Sequence, residues 1–249
     1  MEASLPTADL SQSEPSRDLR WRLVFERESG CHRRVPEPDS SDLTGARRRA
    51  IARSLATFQV GESGTGEHIF AAARASGVSD DYFVALRCFV AEEQEHARLL
   101  ALVLVSVGQP LRTDHWTDHV FVVLRRVKSL RSEVLTLLVA EVIALRYYSA
   151  LRDGIDNPAL ADIFGRIHED EVRHVAFHAA TLPEHLGRFS GPVRLVVRAL
   201  WNVLVAVTSV VVALDHGRAL AAVGVTRRRF VVDVHGLRVD LDRRLFSVV

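Results

Sequence analysis

The sequence predicts an all-α fold: a four-helix bundle with one long crossover and an additional C-terminal helix. Three observations point there. From Leu43 onward the apolar residues recur with a helical period. Four long periodic segments fall into two pairs, each pair joined by a short turn-forming cluster, with Gly108 to Lys128 left between the pairs as a crossover. Apolar residues make up 48% of the 249 positions, enough for a sizeable core.

Taken in order, residues 1–40 are rich in Ser, Pro, Glu and Asp, with one apolar island, "WRLVF", and are expected to form a disordered tail. The first helix is expected from Leu43 to Ala75, where "ASGVSDD" breaks it. The second runs from Tyr82 to Val107 and stops at "GQP", whose Gly and Pro are helix terminators. A shorter helix is expected over "WTDHVFVVLRRV" in the crossover. The third bundle helix spans Leu130 to Arg152, "DGIDNP" turns the chain, and the fourth spans Ala159 to Ala180. Residues 43–180 are thus read as the bundle and residues 181–249 as a helical extension packing on it. Within that extension "ALWNVLVAVTSVVVAL", Ala199 to Leu214, carries no charge and is bounded by Arg198 and Asp215. It is shorter than the roughly 18 residues a spanning helix needs, so a buried helix is expected over membrane contact. The C-terminal stretch alternates around His235-Gly236 and fits either a hairpin or a helix.

A net charge of +1 gives no ground for a nucleic-acid partner. Two cysteines, Cys31 and Cys88, cannot build a disulfide framework or a four-cysteine metal knuckle, which fits a reducing cytoplasm. The polar N-terminus has no apolar core of a secretory leader.

The chemistry lies in a repeated constellation. On the second helix Leu86, Glu93 and Leu100 are seven apart and share a face with Phe89 and His96, so Glu-x-x-His interrupts an apolar stripe. On the fourth, Phe164, Glu171 and His178 share a face beside Ile167 and His174, and the same interruption recurs. The third places Glu141 alone in a seam of Val134, Leu137, Leu145 and Tyr148. The first should supply a matching Glu. Glu62 has Leu55, Phe58 and Ile69 on its face and is preferred; Glu67 is the alternative. Glu141 and Glu171 are 30 positions apart, and Glu62 and Glu93 are 31 apart, so each pair meets at one depth of its hairpin.

Four carboxylates converging in an apolar core are prohibitive alone, since each unpaired buried ion costs several kcal/mol. Two divalent cations cancel them. Glu, then Glu-x-x-His, twice over, is the ligand pattern of dimetal carboxylate bundles. Asp170 and Glu92, each preceding a motif Glu, are placed to orient His96 and His174 across the bundle. Arg173 could pair with either acid. His168 and His178 flank the second motif, and an extra His ligand is one role open to them. His115 and His119, in the crossover, read as surface residues.

"EEQEH" (92–96) and "DEVRH" (170–174) resemble the paired motifs of soluble acyl-carrier-protein desaturases and, more broadly, of the ferritin-like di-iron carboxylate superfamily. The resemblance covers roughly residues 45–180. It implies a ferritin-like bundle holding two Fe ions, or an Fe/Mn pair, on Glu62, Glu93, His96, Glu141, Glu171 and His174. It further implies that Glu93 and Glu171 bridge the metals and that Glu62 and Glu141 are terminal ligands. The chain departs from the desaturase pattern in its shortness and in the Gly-rich stretch around its first ligand.

On this basis the expected activity is a di-iron oxidase or oxygenase that activates O2 to oxidise a small organic or acyl substrate. Tyr148, one helical repeat from Glu141, is the candidate catalytic residue beside the metals. With no cysteine set or nucleotide-binding loop of its own, the chain would draw electrons from an external ferredoxin or flavoprotein reductase. A homodimer is possible. The alternatives are an iron-handling ferroxidase or peroxide scavenger, against which the long N- and C-terminal extensions speak, and a membrane-associated helical module supported by Ala199 to Leu214.

Overall fold

A computed structural model describes residues 15–30, 37–38, 40–112, 129–187 and 189–246. The chain is an all-α bundle, with no strand among the described residues. Its helices are α1 (Arg17–Gly30), α2 (Gly45–Glu62), α3 (Glu67–Ala75), α4 (Asp80–Ser106), α5 (Leu130–Gly154), α6 (Pro158–Leu186), α7 (Gly191–Asp215), α8 (Gly217–Ala222) and α9 (Arg227–Phe246). The expected helix over "WTDHVFVVLRRV", with His115 and His119, lies outside the described residues, as do Cys31 and the first fourteen positions of the tail.

Helix starts follow local chemistry. The Ser79 hydroxyl caps α4 by accepting from the Tyr82 amide, with Asp80 and Asp81 in the first turn where they complement the helix dipole. Ser129 and Ser132 form a reciprocal capping box at α5. Asn157 caps α6 through the Leu160 amide, and Pro158 occupies the first turn, where its missing N–H costs nothing. α5 and α6 pack along each other as a hairpin, and α4 packs on α2, α6 and α1.

Two segments in the N-terminal half differ from the sequence expectation. The first helix is not continuous: it ends at Glu62 and restarts as α3 at Glu67. Gly66 forces the break. It sits at φ 74°, and a Cβ there would lie 2.8 Å from the Val90 side chain and 2.9 Å from Phe70, so only glycine permits this turn against α4. The tail of residues 1–40 contains α1, which corrects the expectation of disorder for residues 17–30. The island "WRLVF" is what orders it. Phe25 is fully buried and meets Phe177 edge-on at 5.2 Å, while Trp21 packs on the same ring at 5.6 Å. Burying an aromatic contributes about 2–3 kcal/mol, enough to hold a short polar helix in place.

The C-terminal stretch is a helix, not a hairpin. Phe230, Val234, Leu241 and Leu245 are buried, and their spacing is that of one helical face. α9 runs back along α7 and contacts α5 and α6, so the extension packs on the bundle. A Cβ on Gly154, at the end of α5, would lie 2.3 Å from the Val223 carbonyl oxygen, which shows how tightly the extension meets the hairpin turn. Among the described residues two helices are long and apolar enough to cross a membrane, α5 and α7; the first is mostly buried in the bundle, whereas the second is mostly exposed, which corrects the expectation of a buried helix over Ala199 to Leu214, since only the Trp201, Val205, Ser209 and Ala213 face is covered.

Candidate metal centre

The seven-residue spacing on α4 and α6 turns Glu93, His96, Glu171 and His174 toward one another. α2 delivers Glu62 from its last residue and α5 delivers Glu141 from its middle. The six side chains form two overlapping groups: Glu62, Glu93, His96 and Glu171, and Glu93, Glu141, Glu171 and His174. Within each group one ligand atom per residue lies within 4.8 Å of the others. Glu93 and Glu171 belong to both. Glu67, the alternative to Glu62, is exposed in the first turn of α3.

The centre is dry. His96 and His174 are fully buried, Glu171 is 1% exposed, Glu141 3% and Glu62 7%. The His174 Nδ1 lies 3.0 Å from Glu93 Oε1, 3.5 Å from Glu141 Oε2 and 3.7 Å from Glu171 Oε2. The His96 Nδ1 lies 3.5 Å from Glu171 Oε1 and 3.6 Å from Glu93 Oε1. None of these atoms makes a hydrogen bond within the protein, and both oxygens of Glu171 are orphaned in the core. Buried polar atoms left without partners cost roughly 1–3 kcal/mol each, so six of them at one point need a common explanation. Atoms bound to one transition metal at about 2.1 Å sit roughly 3–3.5 Å apart, close to the 3.0–3.7 Å between these atoms. Carboxylate and imidazole donors suit such an ion, and these buried groups could hold one in each cluster.

Protons mark the same places. Burial, then the charges of Glu93 and Glu171, push the Glu62 carboxyl well above the carboxylate range; burial, Glu171 and Glu93 do the same to Glu141. Burial alone would depress the His96 imidazole. The hydrogen bond with Asp170, the nearby Glu171 carboxylate and the surrounding negative charge outweigh it, and His96 is pushed up to about 10. His174 is raised for the same reason, with Glu141, Glu171, Glu92 and Glu93 as its partners. Glu171 is held below its usual range: burial opposes this, but His174, His96 and Glu141 prevail. The centre favours positive charge, since Glu62, Glu141 and both imidazoles all hold a proton more tightly than usual.

The outer faces of the histidines are fixed by acids from the opposite hairpin. His96 Nε2 lies 3.1 Å from Asp170 Oδ2, and His174 Nε2 lies 2.9 Å from Glu92 Oε2. An Nε2–H donor to each carboxylate leaves Nδ1 free to face the centre. One guanidinium ties the two acids together: Arg173 Nη2 donates to Glu92 Oε2 at 2.8 Å and to Asp170 Oδ1 at 2.5 Å.

Tyr148 stands beside the centre. Its hydroxyl donates to Glu62 Oε1 at 2.7 Å, and burial together with Glu62 and Glu171 keeps the phenol protonated far above its ordinary range. Three features add to the sequence reading. Phe25 of α1 stacks 6.3 Å from the His174 ring, and Phe89 meets it edge-on at 4.7 Å, so part of the wall comes from the N-terminal helix. Tyr147 turns away from the centre, is stacked at 3.8 Å on Phe58, and bonds the Ser54 hydroxyl at 2.5 Å; Ser54 in turn meets His216 Nδ1 at 2.7 Å. His178, one turn beyond His174, is fully buried with neither ring nitrogen hydrogen-bonded, and burial, then the charge of His174, holds its pKa down to about 3. His168 instead bonds the Leu145 carbonyl oxygen through Nδ1 at 3.1 Å. The sequence placed His178 on the face of Glu171 and left an extra ligand role open to it; it belongs to neither ligand group.

No protein-family model matches the chain, and no curated protein matches it.

Proposed function

We propose that this chain is a ferritin-like di-iron, or Fe/Mn, carboxylate oxidase that uses O2 to oxidise a small organic or acyl substrate in the cytoplasm. The observation that carries the proposal is the pair of overlapping buried ligand groups sharing Glu93 and Glu171. Sharing is what a two-metal centre requires, because a carboxylate common to both groups can span both ions. Glu62 and His96 complete one side, and Glu141 and His174 the other. When bound, a pair of redox metals supplies the electrons and Lewis acidity that O2 activation needs.

The protein's own part is positioning and exclusion. Asp170 and Glu92 fix the tautomer and orientation of the two imidazoles, and Arg173 fixes the acids. Phe25, Phe89 and Phe177 keep water from the His174 side. Tyr148 is the nearest phenol and holds its proton on Glu62 Oε1, where it is placed to steady that carboxylate or to pass on a proton. His178, neutral and without a protein partner, is the candidate contact for a polar group of the substrate. Electrons for turnover come in this scheme from an external ferredoxin or flavoprotein reductase.

The test is metal counting followed by O2 uptake. Iron-supplemented protein should carry about two metal ions per chain, one for each ligand group, and the reduced form should consume O2. Glu93→Ala, which removes a shared ligand, should lose both metals. Wild type without metal, or Glu93→Ala with full metal, refutes the proposal. A large spherical shell on light scattering, with iron accumulating far beyond the ligand count, would move the protein to the iron-handling alternative.

A further inference from the structure

The outer face of α7 is apolar and uncovered by any described residue. Val193, Val196, Leu200, Val203, Val207, Val210 and Leu214 are each between 44% and 65% exposed. Their spacing alternates three, four, three, four, three, four: a heptad seam sustained along the whole helix. The opposite face is already used. Trp201, Val205, Ser209 and Ala213 are buried, and the Trp201 indole donates to the Leu135 carbonyl oxygen at 3.1 Å. We propose that this seam is a homodimer interface, in which α7 packs antiparallel against α7 of a second copy about a twofold axis at Val203.

The register follows from the numbering. An axis at Val203 sets Val196 against the partner's Val210 and Val203 against itself, and brings Val193 and Leu200 within one position of the partner's Leu214 and the partner's Val207. Every seam residue finds an apolar counterpart, as an isologous interface demands. The antiparallel sense also brings the Arg194 end of one helix to the Asp215 end of the other and opposes the helix dipoles, whereas a parallel pair would cluster Arg194 and Arg198 from both copies. The exposed area is of the right size. The seam with Leu195 offers roughly 700–800 Å² of surface per copy, more than the largest patch of a typical monomer and close to the share each partner gives a standard interface.

A bilayer is the competing occupant, and α9 opposes it. Arg198 and Asn202, near the middle of α7, bond Asp242, and Arg238 bonds Asn202, so charged groups of α9 lie alongside the centre of the helix. Spanning would carry them to the depth where each charge costs several kcal/mol.

Cross-linking tests the register in the full-length chain, with Cys31→Ser and Cys88→Ser as background. Val203→Cys should form a disulfide-linked dimer under mild oxidation. Val196→Cys alone should not, while Val196→Cys combined with Val210→Cys should. Val203→Arg should convert a dimer on light scattering into a monomer with unchanged metal content, which keeps this result separate from the metal proposal. A monomeric wild type at micromolar concentration overturns the inference. Cross-linking of Val196→Cys alone overturns the antiparallel sense, and wild type that cosediments with phosphatidylserine vesicles as a monomer gives the seam to membrane.

Discussion

Arg173→Ala should weaken both metal positions at once. The guanidinium bonds Glu92 and Asp170, and each acid holds a different histidine. Its side chain is 15% exposed, so the bonds are largely shielded from water. A hydrogen bond to a charged group contributes about 1.5–3 kcal/mol, and stranding one partner of a buried pair costs about 3–5 kcal/mol. The residual exposure favours the lower end, about 3 kcal/mol for the metal-free protein, or roughly 10 °C in Tm for a chain of this size. Loss of an outer partner of a metal-bound histidine typically lowers affinity about 10–100-fold, and here it should do so for both ions. Competition with a chromophoric chelator, scored ion by ion, measures this. Asp170→Asn should spare the His174 side and weaken the His96 side, and Glu92→Gln should do the reverse. Arg173→Lys should fall between, since one ammonium lacks the planar fork that spans two acids. Unchanged affinity in Arg173→Ala, or equal loss at both positions in Asp170→Asn, would refute the cross-hairpin wiring.

Metal uptake should release protons and tighten with rising pH: His96 is raised to about 10, and His174, Glu62 and Glu141 are raised too, so neutral-pH apoprotein carries protons that a cation must displace. Titration calorimetry in buffers of different ionisation enthalpy reads the release, and buffer-independent heats would contradict it. In the apoprotein, the stability due to His96 is fully present below its unfolded pKa of about 6.5 and is lost as pH rises through about 10, so urea midpoints should fall over that window. Phe25→Ala should lower stability by about 3–5 kcal/mol through the cavity left under α1, and should speed metal loss to a chelator; an unchanged melt would mean α1 does not seal the centre. Tyr148→Phe removes the donor to Glu62 Oε1 and should weaken metal chiefly on the Glu62 and His96 side; O2 reactivity lost with both metals retained would instead assign the phenol a catalytic role.

Much of the centre was legible because helical spacing is rigid. Glu93 and His96 must share a face, and equal distances from a turn must share a depth, so the six converging side chains and even the crossed acids Asp170 and Glu92 could be read from positions alone. What escaped depends on packing. α1 was hidden because one apolar pentad in a polar tail forms a helix only when a rim such as Phe177 is there to receive it. The interruption at Ser63 was hidden because the apolar stripe of Glu62 runs in phase through to Ile69, while the reason to break, the Val90 side chain under Gly66, belongs to another helix. The strand-like alternation around His235-Gly236 gave way to a helix because α7 and the bundle offer Phe230, Val234 and Leu241 one continuous surface. The pairing of Tyr147 with Ser54 and His216 spans 162 positions and has no local signal.

The crossed wiring of the histidines bears on how the molecule is assembled. Each Glu-x-x-His helix carries the acid that the other needs, so a hairpin alone has neither an oriented imidazole nor a complete set of carboxylates. Secondary structure and hairpin closure can be finished while the centre is still incompetent; competence arrives only with the docking of α4 onto α6. With metal bound as proposed, loading would act as a late proofreading step, because a chain with misdocked halves never brings either ligand group together and stays empty. A chelator acting on the mature protein should therefore loosen the seam between the hairpins before it melts any helix within them.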